Sequence, residues 1–194
     1  MMGDDPDTAR DYASQNGIIA THCGVEFSPL NPDPSTVLIE DIAHALANSC
    51  RFTGHVDRFY SVAQHSVHVS ELVESKDPEL AFTALLHDAS EAYLSDISRP
   101  IKMQPEFGDV YKKFEHRLEV AIAERFGLVF PYPDIIKWAD NVMLRSEQRD
   151  LMPNLLRFAG DEYLPFTIQP WSPVVAKAHF MDRFDLLWSR REAA

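Results

Sequence analysis

An all-α fold is predicted by three features of the sequence. Apolar residues recur at helical spacing along most of the chain, several segments carry start and stop signals, and β-type patterning is confined to one short stretch. Residues 1–16 are acidic and polar and are expected to be flexible, leaving 17–194 as a single domain. Gly17-Ile-Ile-Ala-Thr-His-Cys-Gly-Val-Glu-Phe-Ser-Pro reads as a small N-terminal β-hairpin turning near Cys23-Gly24. After the turn-rich Asn31-Pro-Asp-Pro-Ser, a helix is predicted over Ile39–Ala47, with Ile39, Ile42, Ala43 and Leu46 in phase. Cys50 to Phe59 is irregular and contains the breaker Gly54.

Stronger helices follow. Tyr60–Glu74 carries Val62, Val69, Leu72 and Val73 on one face. Asp77-Pro78 supplies an N-cap and a first-turn proline for one helix predicted to reach about Leu94. Gly108–Phe126 is amphipathic and closed by Gly127, and Asp134–Leu151 is stopped by Pro153. After a loop with Pro165 and Pro170, Ser172-Pro173 restarts a helix to about Arg190.

Composition narrows the classes of function. Eighteen basic against 30 acidic residues give 18 − 30 = −12, which argues against an extended nucleic-acid or anionic-membrane partner. A local cationic pocket for a small anion remains compatible with it. Cys23 and Cys50 form no C-x-x-C pair or disulfide framework, which points to a reducing compartment. The N-terminus does not resemble a signal peptide, and no apolar run approaches the roughly 20 residues of a membrane span. A soluble, cytoplasmic protein is expected.

The chemistry centres on His87-Asp88, within Ala-Phe-Thr-Ala-Leu-Leu-His-Asp-Ala-Ser-Glu-Ala-Tyr. With successive residues about 100° apart, Leu80, His87 and Glu91 share a helix face and Asp88 points partly toward it. His65 borders the apolar stripe of the preceding helix, and Asp140 lies in line with Ile136, Leu144 and Leu151, aimed at the core. Carboxylates and imidazoles set against apolar surface need compensation, and a divalent cation is the simplest form of it. His44, His68, His116 and His179 read as structural histidines.

The order His65 … His87-Asp88 … Asp140 resembles the metal-ligand set of the HD-domain phosphohydrolases, over about residues 50–152. That resemblance implies an all-helical HD bundle holding one divalent ion between helices. The chain is similar in particular to the 5′-deoxynucleotidase branch. Arg51-Phe52, the Ser-Val-Ala-Gln-His-Ser stretch (61–66), Glu91 and Asp96 fall near the phosphate-binding and catalytic groups of those enzymes. Phage-type dATP triphosphohydrolases share the layout.

Two histidines and two carboxylates leave positions on a six-coordinate ion for water and a phosphate oxygen; this mixed ligation suits Mn, Co, Fe or Ni and permits Zn. The interval 89–139 holds only His116, which favours one ion over two. Glu91, too exposed by pattern to be needed for packing, is implied as general acid or base. Asp96 is either a turn residue or an aid to positioning substrate or Glu91. Arg51 is the best phosphate clamp, with a surface salt bridge as the alternative; His55, Arg58 and Arg99 are further cationic candidates, and Lys102 lies close in sequence to Arg99. Phe52 stands where the related enzymes have tryptophan, which loosens the expected preference for deoxyribose. Phe52 is then an aromatic wall or simple core.

The expected function is hydrolysis of (deoxy)nucleoside 5′-monophosphates to nucleoside and phosphate. A deoxynucleoside triphosphate triphosphohydrolase and a non-catalytic nucleotide-binding module are the alternatives. A homodimer or higher homo-oligomer is expected from relatives.

Overall fold

The computed structural model describes residues 17–152 and 162–193. The predicted flexible segment 1–16 and the stop at Pro153 lie outside the described residues. Within them the chain is mostly helical. A two-stranded antiparallel hairpin precedes the helices, with β1 (Ile19–Ala20) paired to β2 (Glu26–Phe27) in the register Ile19↔Phe27 and Ala20↔Glu26. Its turn closes where the sequence predicts, through Gly24 N–H to Thr21 O, with Gly24 at φ 80°.

The helices are α1 (Ile39–Asn48), α2 (Val62–Glu74), α3 (Ala81–Leu85), α4 (Glu91–Leu94), α5 (Arg99–Lys102), α6 (Pro105–Phe126), α7 (Asp134–Leu151) and α8 (Pro173–Glu192). Helix α2 is central: α1, α3, α7 and α8 all pack against it. One apolar cluster takes Val62, Ala63 and Val67 of α2 with Ile42, Leu46, Phe82, Leu118, Ile122 and Phe180. A second takes Val69 and Val73 with Ile136, Ala139, Met143 and Leu151. Because α2 is covered on several sides, its polar residues are buried too, and each needs a partner. Gln64 spans the gap to the segment before α8, donating to Gln169 O and accepting from Trp171 N–H, while Ser70 donates to Ala81 O. Ser61 caps the helix by accepting the N–H of Gln64.

The principal departure from expectation lies in the predicted helix 77–94. Asp77 and Pro78 start it as their chemistry dictates, with the Asp77 carboxylate accepting Glu79 N–H. The helix nevertheless breaks after Leu85. From Leu86 to Glu91 the backbone bonds tighten to the i−3 carbonyl, with Leu86 N–H donating to Thr83 O and Glu91 N–H to Asp88 O. The cause is visible at Ala84, whose carbonyl accepts the imidazole Nδ1–H of His87 at 2.7 Å in place of the next helical N–H. His87-Asp88 therefore sits on a turn between two short helices, not inside one long one.

Other boundaries follow the sequence closely. Helix α6 ends on Gly127 in the left-handed conformation, and Ser172 caps α8 through Val175 N–H. Short α5, which the periodicity did not predict, packs on α6 at Gly108. No helix among the described residues is long and apolar enough to cross a membrane.

Candidate metal centre

The four predicted ligands reach the site from three places in the chain. His65 comes from the middle of α2 and is fully buried. His87 and Asp88 come from the turn after α3, and Asp140 from α7. The ligand atoms of His65, His87 and Asp88 all lie within 4.8 Å of one another. His65 Nε2 stands 3.5 Å from Asp88 Oδ2 and 3.3 Å from Asp140 Oδ1, and His87 Nε2 stands 3.3 Å from Asp88 Oδ1. Asp140 faces His65 but is not aimed into the core as its phase suggested: its side chain is 40% exposed. It forms the rim of the cluster.

Tautomers follow from the partners of the other ring nitrogens. His87 Nδ1 donates to a carbonyl, which can only accept, and His65 Nδ1 donates to Glu147 Oε1 at 2.6 Å. In the neutral rings both Nε2 atoms then present lone pairs toward carboxylate oxygens. Both are buried without a hydrogen-bond partner. Lone pairs facing anions repel unless a cation stands among them, so the donor set fits a divalent ion with nitrogen and oxygen ligands. In the metal-free molecule a proton is the substitute. Burial and Arg51 oppose a charge on His65, but Glu147 and Asp140 outweigh them and raise its pKa to about 10.

Glu147 is the functional residue that sequence reading missed. It is fully buried on α7 and held from two sides, by His65 at Oε1 and by Arg51 Nε at Oε2, 3.0 Å away. Burial alone would raise its pKa, yet Arg51 and His65 hold it down at about 2. A carboxylate behind a ligating histidine fixes its tautomer and orientation. The signal was present: Glu147 follows Asp140 by seven residues, which places the two within about 20° on one helix face.

Arg51 does not fit one of its two sequence alternatives, the surface salt bridge. It is buried, so it is no surface salt bridge, and its Nε is committed to Glu147. Only the outer nitrogens remain for a ligand, and Nη1 lies 3.8 Å from Asp88 Oδ2. Phe52 is half-buried, its ring centroid 5.5 Å from the Arg51 guanidinium carbon, and belongs to neither apolar cluster. Phe52 and Thr53 both adopt φ 55°, followed by Gly54 at φ 81°. Such conformations cost roughly 1–3 kcal/mol each for residues with a Cβ. The base of this loop is tied by an antiparallel bridge between Cys50 and Ser61, and Asp57 N–H donates to Leu151 O.

Glu91 is buried, only 6% exposed, which corrects the expectation that it is an exposed helix residue. The helix break turns it inward. Burial first, then the charges of Asp88 and Asp96, raise its pKa well above the ordinary carboxylate range, while Lys102 and Arg51 only partly offset them. Oε1 accepts from Lys102 Nζ at 3.4 Å, and Oε2 has no hydrogen-bond partner. Lys102 also pairs with Glu115 at 3.0 Å. Asp96 is half-buried and close enough to act on both Glu91 and Arg51. His55, Arg58 and Arg99 are exposed, and no hydrogen bond or ion pair joins them to the cluster. Of the histidines read as structural, His68 bonds Glu71 and His179 packs on Trp171.

No protein-family model matches the chain. It is 39% identical over 184 residues to Uncharacterized protein YfdR of Escherichia coli strain K12, an alignment spanning 91% of this chain and 98% of that one. Uncharacterized protein RCAP_rcc00048 of Rhodobacter capsulatus is 41% identical over 132 residues, covering 63% of this chain and 66% of that protein. Near full-length identity at this level shows that the chain belongs to the same family as E. coli YfdR.

Proposed function

We propose that this protein is a metal-dependent phosphohydrolase of the HD-domain type, acting on nucleoside 5′-phosphates, with (deoxy)nucleoside 5′-monophosphates as the leading substrates. One observation carries the reading: the buried Nε2 atoms of His65 and His87, each without a hydrogen-bond partner, face the carboxylates of Asp88 and Asp140. His65, His87, Asp88 and Asp140 would hold one divalent ion. When bound, that ion would polarise a phosphoryl oxygen and lower the pKa of water near neutral pH.

The remaining chemistry belongs to the chain's own groups. The Glu91 carboxyl, driven toward its protonated form, is suited to donate a proton to the leaving oxygen of a phosphate ester. The outer nitrogens of Arg51 supply fixed positive charge beside Asp88, and Glu147 holds the guanidinium in place from behind. Phe52, whose ring lies beside Arg51, would cover the sugar.

The test is phosphate release from a panel of nucleotides by purified protein supplied with Mn or Co. Turnover lost on Asp88→Ala with the fold retained supports the reading. Absence of turnover on every nucleotide with every metal would sink it. With triphosphates in the panel, release of tripolyphosphate instead of orthophosphate would identify the triphosphohydrolase alternative. Lys102, a second cation beside Glu91, is the feature that would favour it.

A further inference from the structure

Helix α6 carries two apolar faces, and only one of them is packed into the domain. Tyr111, Leu118, Ile122 and Phe126 are buried, the last three in the apolar cluster around α2. About 100° round the helix lies a second row, Phe107, Val110 and Phe114, which belongs to neither apolar cluster. Phe107 is 42% exposed and Val110 52%, and Phe114 is half-buried at the border between the two faces. Met103, 63% exposed, precedes this row, and exposed Arg117 follows it. Positions 103, 107, 110, 114 and 117 alternate steps of four and three, the repeat by which one helix presents a continuous seam to another. Large apolar side chains concentrated on one exposed face mark a surface for a partner.

The charges that flank the seam identify the partner. Glu106 and Lys113 are both exposed and lie on the same side of Val110, about 40° and 60° from it around the helix. Phe107 and Phe114 lie on the other side, about 60° and 40° from it. Each pair straddles Val110 in sequence, one member before it and one after. A twofold axis at Val110 sets a second α6 antiparallel to the first, so that positions before Val110 face positions after it. Val110 then meets its own copy, Phe107 meets Phe114 of the second copy, and Glu106 meets Lys113 of the second copy. A parallel pair would instead set Glu106 against Glu106 and Lys113 against Lys113. The face is self-complementary only in the antiparallel sense, as a closed twofold contact requires. Exposed Glu106 and Asp109 at its edge disfavour an anionic lipid surface as the occupant.

We propose that the Phe107–Val110–Phe114 face of α6 is the contact between two copies of this chain, packed antiparallel about a twofold axis at Val110. The aromatic rings and Val110 form its apolar centre, and the Glu106–Lys113 pairs close its edge. Met103 extends the seam toward the corner where α5 packs on α6 at Gly108. From that corner Lys102 reaches Glu91, so the second copy holds it from the outside.

Sedimentation equilibrium of the full chain over a wide range of protein concentration tests the contact, and a monomer–dimer equilibrium is expected. Val110→Glu sets like charges together on the axis and should abolish the dimer; because Val110 is exposed, the far-ultraviolet spectrum should stay native. Glu106→Lys and Lys113→Glu should each raise the dimer dissociation constant about tenfold, since either places like charges across the contact. The two substitutions combined restore opposite charges and should return the constant close to that of the wild type. This rescue separates a specific antiparallel contact from loss of fold or loss of apolar area. A wild-type chain that stays monomeric throughout overturns the proposal. So does a dimer indifferent to Val110→Glu, a combined variant no tighter than the single ones, or a monomer that binds phosphatidylglycerol vesicles through this face.

Discussion

Glu91 and Glu147 are both buried carboxylates, yet their surroundings drive them to opposite protonation states. Glu147 sits between a guanidinium and an imidazole, whereas Glu91 sits among carboxylates with one lysine at 3.4 Å. The first is a fixed anion and the second a reservoir for a proton. Glu91→Gln is therefore expected to lower turnover by roughly 10²–10⁴-fold while leaving metal content unchanged; equal activity would show that Glu91 transfers no proton. Glu147→Gln removes the anion that orients His65 and balances Arg51. Metal affinity should fall about 10–100-fold, measured by competition with a chelator, and unaltered affinity would remove Glu147 from its positioning role. At this scale the sequence was legible for the residue types that bind metals and silent on protonation. His65, Asp88 and Asp140 could be chosen by type and spacing. Whether a carboxyl is charged depends on neighbours such as Asp96 and Lys102, which are set by the fold.

Among the elements, the break at Leu86–Ser90 matters most. Local pattern favoured one helix from Asp77 to Leu94, because nothing in Leu-Leu-His-Asp-Ala is a helix breaker. A side chain bonding a carbonyl three residues back competes with the helical ladder, and His87 does so at Ala84. That competition delivers His87 and Asp88 together and turns Glu91 toward the core. A second local device is Gly108. A Cβ there would stand 2.0 Å from the Lys102 carbonyl oxygen and 2.8 Å from its carbon, both backbone atoms that cannot move alone. Gly108→Ala is expected to push α5 off α6 and to destabilise the protein by about 1–3 kcal/mol. The same displacement should separate Lys102 from Glu91. An unchanged denaturation midpoint would show that the α5–α6 contact yields more easily than its geometry indicates.

Across the whole molecule, the excess of acidic groups has a consequence on α6, where Glu119 lies close enough to Glu115 and Asp88 to feel their charges. Burial, then Glu115 and Asp88, push the Glu119 carboxyl up to about 7. Its ordinary value is 4.5. Between those values the folded state binds more protons than the unfolded state, so this group's contribution to stability declines as pH rises through that window. Metal-free protein is expected to lose stability from acid toward neutral pH at this site, and Glu119→Gln to flatten that part of the profile. Denaturant midpoints for both proteins across the window check it; parallel curves would remove Glu119 as the cause.

Most of the helix positions, the hairpin and the choice of His65, His87 and Asp88 as neighbours followed from the sequence by itself, because periodicity, caps and residue chemistry are local properties. Asp140 does reach His65, but helical phase placed it too deep, since phase gives direction and not depth. Only the tertiary structure decided what surrounds each group. It buried Arg51 behind Glu147, turned Glu91 inward and left His55, Arg58 and Arg99 in solvent. The physical reason is common to all of these. Charge state, burial and the want of a partner are set by groups far apart in the chain, and they come into being only when α2, α4 and α7 meet.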